Sequence, residues 1–537
     1  MTTNQMRTSL LGFLLLSVPA FCQTPVNVLT YHNDNARSGA NLNETHLTLT
    51  NVVVGTFGKL FELGVDGVVY SQPLYMSGLT INGATHNVVF VATENNSVYA
   101  FDGDTGGAPL WHVNFNYGPP GVTVTPVPDA DINCTNLYPV VGITSTPVID
   151  SSANVLYTVA KSKEVSSSAT NYFHRLHGVN ILTGQEVFPQ VAITASVPGT
   201  CGNPPNGTIV FDPLIQHQRA SLLLLNDVVY IGSASHCDQG KYYGWLLGYN
   251  TTTQQQVAAL NTAPDAAGPI CRAGIWQGGG GPAADNEGNI FVLTGNGAFN
   301  ANKGGQTYGD SALRLSTNSS GAITVADYFT PANQQTLNDK DFDFAGSGAA
   351  VILPKQPGPH PDLMVAAGKI GTIYLINRNN MGKFNPTVDH VVQSIPGAVG
   401  DGRDAYTPPV YFNQNVYYAG SEDMLKGFSL TNGLFNTTPF AKSANTFGYL
   451  GAGLSISAAP NNENAIVWAL DGTKYPAVLY AYNALTLEEL YDTSQAANKA
   501  DNFGHGVKLS IPTVANGKVY VGTQNNVTVY GLKSSKK

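Results

Sequence analysis

Five short stretches of this chain set reactive side chains beside glycines. Asp341-Phe-Asp-Phe-Ala-Gly346 carries two carboxylates, with Asp343 closest to the glycine. Leu293-Thr-Gly-Asn-Gly-Ala298 presents the amide of Asn296, and Gly368-Lys-Ile-Gly371 presents Lys369. Gly232-Ser-Ala-Ser-His-Cys-Asp238 brings together His236, Cys237 and Asp238, and Trp276 stands just before the run Gly278-Gly-Gly-Gly-Pro282. Carboxylates and amides supply the hard oxygens that calcium takes. A carboxylate close to a hydroxyl can remove its proton, and an ammonium steadies negative charge forming on an oxygen. The same types also build turns: Asp and Asn cap them, Gly-Asn-Gly is a turn signal, and an exposed lysine is commonly just solvated. His236 reads either as a metal or substrate contact or as a hydrogen-bonded loop residue. No Gly-x-Ser-x-Gly, His-Glu-x-x-His or phosphate loop occurs, so hydrolase and nucleotide chemistries have no motif behind them. No two cysteines have zinc-ligand spacing.

These stretches lie between strands of a repeating unit. Near the start the chain reads Asn87-Val-Val-Phe-Val-Ala-Thr-Glu-Asn-Asn-Ser-Val-Tyr-Ala-Phe-Asp102, followed by Asp104-Thr-Gly-Gly and Leu110-Trp111. Near the end it reads Gly517-Lys-Val-Tyr-Val-Gly-Thr-Gln-Asn-Asn-Val-Thr-Val-Tyr-Gly-Leu532. Each copy is a strand, a polar turn and a second strand with the two-residue period of a pleated surface. These two belong to units that open near positions 71 and 510, and six weaker copies open near 144, 221, 281, 348, 407 and 455. An array of like units at this period signals a repeat architecture. The spacing predicts an all-β fold, an eight-bladed β-propeller of four-stranded antiparallel blades, with an N-terminal strand at 59–63 closing the ring. An open solenoid or two smaller β domains are the alternatives. Only 11% of the 537 residues are charged, which suits short strands and many turns. Tyr99, Trp111, Trp468 and Tyr530 fall at positions that pack blade against blade. The Gly- and Asn-rich connections at 113–142, 190–218, 297–310, 328–346 and 383–404 are expected to gather over one mouth of the channel.

Residues 1–22 read as a signal peptide: Arg7, an apolar run from Leu10 to Val18, then Pro19-Ala-Phe-Cys22. Residues 23–56 read as a leader packed on the outside of the ring, and 57–537 as the propeller. Export places the protein in a periplasmic or extracellular, oxidising space. There Cys134, Cys201, Cys237 and Cys271 allow three pairings, of which Cys134 with Cys237 and Cys201 with Cys271 is the expectation. No later run of eighteen apolar residues predicts a membrane span. A net charge of −9 argues against a nucleic-acid partner.

The strand-turn-strand phrase with Tyr-Ala-Phe-Asp and Thr-Gly resembles the pyrroloquinoline-quinone repeat, and the chain resembles the quinoprotein alcohol dehydrogenase-like family. The leader stretch Thr30-Tyr-His-Asn-Asp-Asn-Ala-Arg-Ser-Gly39 fits that family's opening. The resemblance implies a propeller holding pyrroloquinoline quinone and calcium on its axis. It makes Asp343 the catalytic base and, with Asn296 and Asp238, a calcium-site residue; Asn296 and Asp238 also belong to the cofactor site with Trp276, and Lys369 is the partner of the quinone oxygens. Gly368-Lys-Ile-Gly-Thr-Ile-Tyr-Leu-Ile-Asn-Arg378 carries this last match.

The chain also departs from the family. A single Cys134 stands where the family often has two adjacent cysteines, and the glycine run stands where it stacks a Trp, leaving Trp276 as the available ring. Tyr70 and the neighbourhood of Val141 fall where the family has a Glu and an Arg. No Cys-x-x-Cys-His motif attaches a haem. The expected function is a quinone-dependent dehydrogenase of alcohol or sugar hydroxyls. The alternative is a non-catalytic propeller binding a carbohydrate or protein through the loops at the channel mouth.

Overall fold

The computed structural model describes residues 26–400 and 405–534, so the expected signal peptide lies outside the described residues. Eight antiparallel sheets follow one another along the chain as blades. Blade 1 runs outward from Leu74–Ile81 through Ala84–Ala92 and Ser97–Asp102 to Trp111–Asn114. Blades 2 to 7 begin with inner strands at Val148–Asp150, Leu223–Leu225, Ala283–Ala284, Val351–Ile352, Val410–Phe412 and Gly453–Ser457. Blade 8 is made of Thr513–Ala515, Lys518–Gly522 and Asn526–Leu532, and its outer strand is Phe57–Gly64. That last strand comes from the N-terminal side and pairs antiparallel with Asn526–Leu532, so the ring closes as the sequence predicts.

The core lies between neighbouring sheets rather than at one centre. Phe57, Trp468, Tyr491 and Tyr530 fill the seam of blades 7 and 8. Trp111 leaves blade 1 to donate from Nε1 to Ile181 O of blade 2 at 2.9 Å. Each blade exposes two apolar faces that only its neighbours cover, which is why a closed ring wins over an open row.

Only part of the leader packs against the outer seams of the ring: Leu47 and Val52 pack between blades 7 and 8, but the residues before them do not. Residues 28–41 wind once through the channel and bond to the inner strands in blade order. Val28 pairs with Tyr75 of blade 1. The carbonyls of Leu29, Asn35, Ala36, Ser38 and Gly39 accept from the amides of Ile149, Ala284, Ile352, Tyr411 and Ile456, in blades 2, 4, 5, 6 and 7. The Asn35 and Asn41 side chains donate to Leu224 O in blade 3 and Val514 O in blade 8. The physical reason is that the inner strand of each blade leaves one row of backbone groups unpaired toward the axis, and a buried unpaired group is costly.

Arg37 pins this plug. Fully buried, it donates to Pro282 O at 2.9 Å, Thr30 Oγ1 at 2.8 Å, Tyr31 O at 2.9 Å and Leu222 O at 3.2 Å. Gly39 has φ +73°, and a Cβ there would collide with Val410, so the tight approach requires glycine. The plug meets the inner strands within their length. One end of the channel is formed by the connections that precede those strands, and it is there that the predicted site residues gather.

Candidate functional site

A cavity of about 270 Å³ sits at that open end, lined by residues of blades 3 to 8 and their connections and by Asn136 from the connection between blades 1 and 2. Asp343 reaches it as the residue before the short helical turn Phe344–Ser347, ahead of blade 5. Lys369 follows Leu363–Ala367 in the same blade. Asp238 follows Val228–Ser235 of blade 3, with φ 55°, and Trp276 stands between blades 3 and 4. All four line the cavity.

Asp343 and Lys369 are the centre of the arrangement. Lys369 Nζ lies 2.6 Å from Asp343 Oδ2 and 3.4 Å from Asp341 Oδ2, with the Lys369 and Asp343 side chains 13% and 7% exposed. The other oxygen of Asp343 accepts the backbone N–H of Asn296 at 2.7 Å. Gly295 makes this contact possible, because a Cβ there would collide with Asp343 Oδ1. Burial pushes the Asp343 carboxyl above its usual range, while Lys369 and the Asn296 N–H pull it back down. Burial works against the Lys369 ammonium, but Asp343 and Asp341 outweigh it and hold the lysine well above its usual value. A carboxylate so placed can take a proton, and the neighbouring ammonium favours its ionised form against the effect of burial.

Asn296 adjoins the cavity through these neighbours. Its Nδ2 donates to Asp341 Oδ1, and its Oδ1 is buried with no hydrogen-bond partner. An orphaned amide oxygen beside carboxylates is what a cation site leaves open. Asp238 keeps one oxygen for the Tyr242 hydroxyl. Both oxygens of Asp343 are already engaged, by Lys369 and by the Asn296 amide. Among the described residues no group of three or more His, Cys, Asp or Glu side chains gathers for a metal ion. Calcium takes about six to eight oxygens, so these residues fit a cation only in part, with Asn296 Oδ1 and the free oxygen of Asp238 as the open donors.

The walls differ from the expected pattern. Cys134 pairs with Cys237 and Cys201 with Cys271, and Cys237 lines the cavity. A long-range disulfide therefore stands at the mouth in a chain that has no adjacent pair. The Trp276 ring meets Tyr242 edge-on with centroids 5.8 Å apart, and its Nε1 has no partner. On the far side Tyr406 and Tyr449 join hydroxyls at 3.1 Å, and Lys369 Nζ lies 5.8 Å from the Tyr406 ring centre.

Three charged residues near the axis have no counterpart among the residues singled out from the sequence. Arg219 and Lys508 line the cavity. Glu94 is buried close by, accepts the Gly142 N–H at 2.5 Å, and is pushed up to about 7 by burial against the pull of that N–H, Thr144, Arg219 and Lys161. Tyr70 lies within the electrostatic reach of both Glu94 and Arg219. A carboxylate and a guanidinium therefore lie close to Tyr70, each carried by a connection rather than a strand. The last repeat phrase carries Gln524 where the first carries Glu94, and no such comparison marks Arg219 or Lys508.

The chain matches no known protein-family profile and no curated protein sequence. Solved structures do resemble it. A quinohemoprotein alcohol dehydrogenase from Comamonas testosteroni superposes with a TM-score of 0.59 at 13% identity, over 95% of this chain and 81% of that one. One from Pseudomonas putida HK5 gives 0.58 at 13% identity, over the same shares. A europium-containing methanol dehydrogenase gives 0.60 at 11% identity, over 94% of this chain and 98% of that one. Identity at this level speaks for architecture alone. The chain has the β-propeller fold found in the quinohemoprotein alcohol and methanol dehydrogenases.

Proposed function

We propose that the open mouth of the channel is the active site of a quinone-dependent dehydrogenase acting on an alcohol or sugar hydroxyl. The observation that carries this reading is the buried Asp343–Lys369 pair at 2.6 Å beside the unpartnered oxygen of Asn296. Asp343 is the group that takes the hydroxyl proton, held in place by the Asn296 N–H and kept ionised by Lys369. A bound pyrroloquinoline quinone would accept the two electrons that leave the substrate carbon. Lys369 is the cation available to steady negative charge on the quinone oxygens. Asn296 Oδ1 and Asp238 are the protein oxygens available to a calcium ion, with the remaining ligands left to the bound molecules.

The same features set the rival reading. The cation donors are few and the Trp276 ring is held edge-on by Tyr242, which favours a propeller that binds a carbohydrate without converting it. Export to the periplasm or cell exterior is supported by the two disulfides, which persist in oxidising compartments. Among the described residues no helix is long and apolar enough to cross a membrane.

Titrating the purified chain with quinone and calcium, while following quinone absorbance and the reduction of a dye by alcohols, separates the two readings. Saturable binding with dye reduction supports the dehydrogenase. Absence of quinone binding at micromolar concentration rejects it.

A further inference from the structure

The cavity is electrostatically divided. On one side stand Asp238, Asp341 and Asp343, with Lys369 as their cation. On the other stand Arg219 and Lys508. Arg219 makes no hydrogen bond and no ion pair among the described residues, and Lys508 Nζ has a single weak contact, to Asn136 Oδ1 at 3.5 Å. Behind them Lys161 is fully buried, satisfied by Leu214 O and Gln216 O at 2.9 Å each and by His236 Nε2 at 2.7 Å. Glu94 is the carboxylate whose field reaches Arg219 and Lys161. Asp212 also acts on Lys161, so two acids stand against three cations, and the excess falls on the two that line the cavity, Arg219 and Lys508, in surroundings where an unpaired charge is expensive. A guanidinium with free donors at a cavity wall is suited to a planar carboxylate.

We propose that Arg219 and Lys508 form a carboxylate subsite facing Asp343, so that the cavity takes a hydroxylated organic acid of the sugar-acid class rather than a neutral alcohol. The carboxylate lies against Arg219 and Lys508, and the hydroxyl points toward Asp343. This orientation rests on Asp343 as the proton acceptor, whereas the carboxylate contact does not depend on any quinone. Burial and the nearby Arg219 lower the Lys508 pKa to about 8, in keeping with two cations held together without an anion between them.

The test is calorimetric titration of the full chain, without quinone, against gluconate, glucose and inorganic phosphate. Gluconate is expected to bind at least ~10-fold more tightly than glucose, the equivalent of one charge-assisted contact. Arg219→Gln is expected to remove that advantage while leaving glucose binding unchanged, with Arg219→Lys restoring part of it. If Arg219→Gln fails to fold, Lys508→Met at the half-buried second position carries the same expectation. Gluconate binding no tighter than glucose, an advantage that survives both substitutions, or tight phosphate binding without gluconate binding overturns the proposal. So does a result in which Arg219→Gln abolishes quinone binding while gluconate never binds, because the cations then serve the quinone. Gluconate binding that depends on Arg219, without quinone reduction, supports this subsite and rejects only the dehydrogenase reading.

Discussion

Replacing Lys369 by methionine isolates what the ammonium does for Asp343. The two groups approach to 2.6 Å. At an effective dielectric constant of about 20 that separation is worth roughly 6 kcal/mol of attraction. The Asn296 N–H would remain, but burial is the largest influence on Asp343 and would then act almost unopposed. The carboxyl should take up a proton at neutral pH and cease to be a base. Because one partner of a buried pair is lost, a stability cost of about 3–5 kcal/mol is also expected. Infrared spectroscopy, with Asp343→Asn subtracted, should show the protonated carboxyl band at pH 7 in Lys369→Met and the carboxylate bands in wild type. Lys369→Arg should keep the carboxylate. If Asp343 remains ionised at pH 7 in the folded methionine variant, Lys369 does not set its charge and the reasoning fails.

Other consequences follow from the same geometry. Asn296→Ala removes the orphaned Oδ1 but not the backbone N–H to Asp343, so calcium-dependent quinone binding should weaken while Asp343 stays in place, as equilibrium dialysis with and without calcium would measure. Arg37→Met strips donors from five buried or half-buried acceptors, Asp34 O included, and should cost about 3 kcal/mol or more and expose residues 28–41 to hydrogen exchange before the blades open. Glu94 has a folded-state pKa raised to about 7 from 4.5, so the folded protein holds this proton more tightly than the unfolded chain. Its contribution is complete below the unfolded value and is lost as pH rises toward 7; relative to Glu94→Gln, wild type should lose about 3 kcal/mol across that interval in denaturant titrations.

The blade count and the ring-closing strand were legible because the period of two along each strand and the recurrence of one phrase are properties of consecutive residues. Asp343, Lys369, Asp238 and Trp276 come together for a related reason: Lys369 and Asp238 follow second strands, Asp343 and Trp276 stand in connections that precede inner strands, and closure of the ring carries both kinds of position to one mouth. The plug was not legible. Residues 28–41 have almost no strand period, and what they bond to is a row of backbone groups spread over eight blades, which leaves no trace in side-chain spacing. Arg219 and Lys508 escaped for the opposite reason. Each is an isolated cation in its own stretch, and only the fold sets them on one wall. Glu94 read as a turn residue, and its burial depends on Gly142 and on Arg219 arriving from blades 2 and 3.

The account stands most directly on Asp343 as the proton acceptor at the channel mouth. Dye-linked oxidation of a hydroxylated substrate, measured side by side for wild type and Asp343→Asn after each has been loaded with quinone and calcium, tests that assignment. Full cofactor absorbance in both, with turnover lost in the asparagine variant by about 10²-fold or more, is the predicted result. Equal turnover in the two proteins would contradict it.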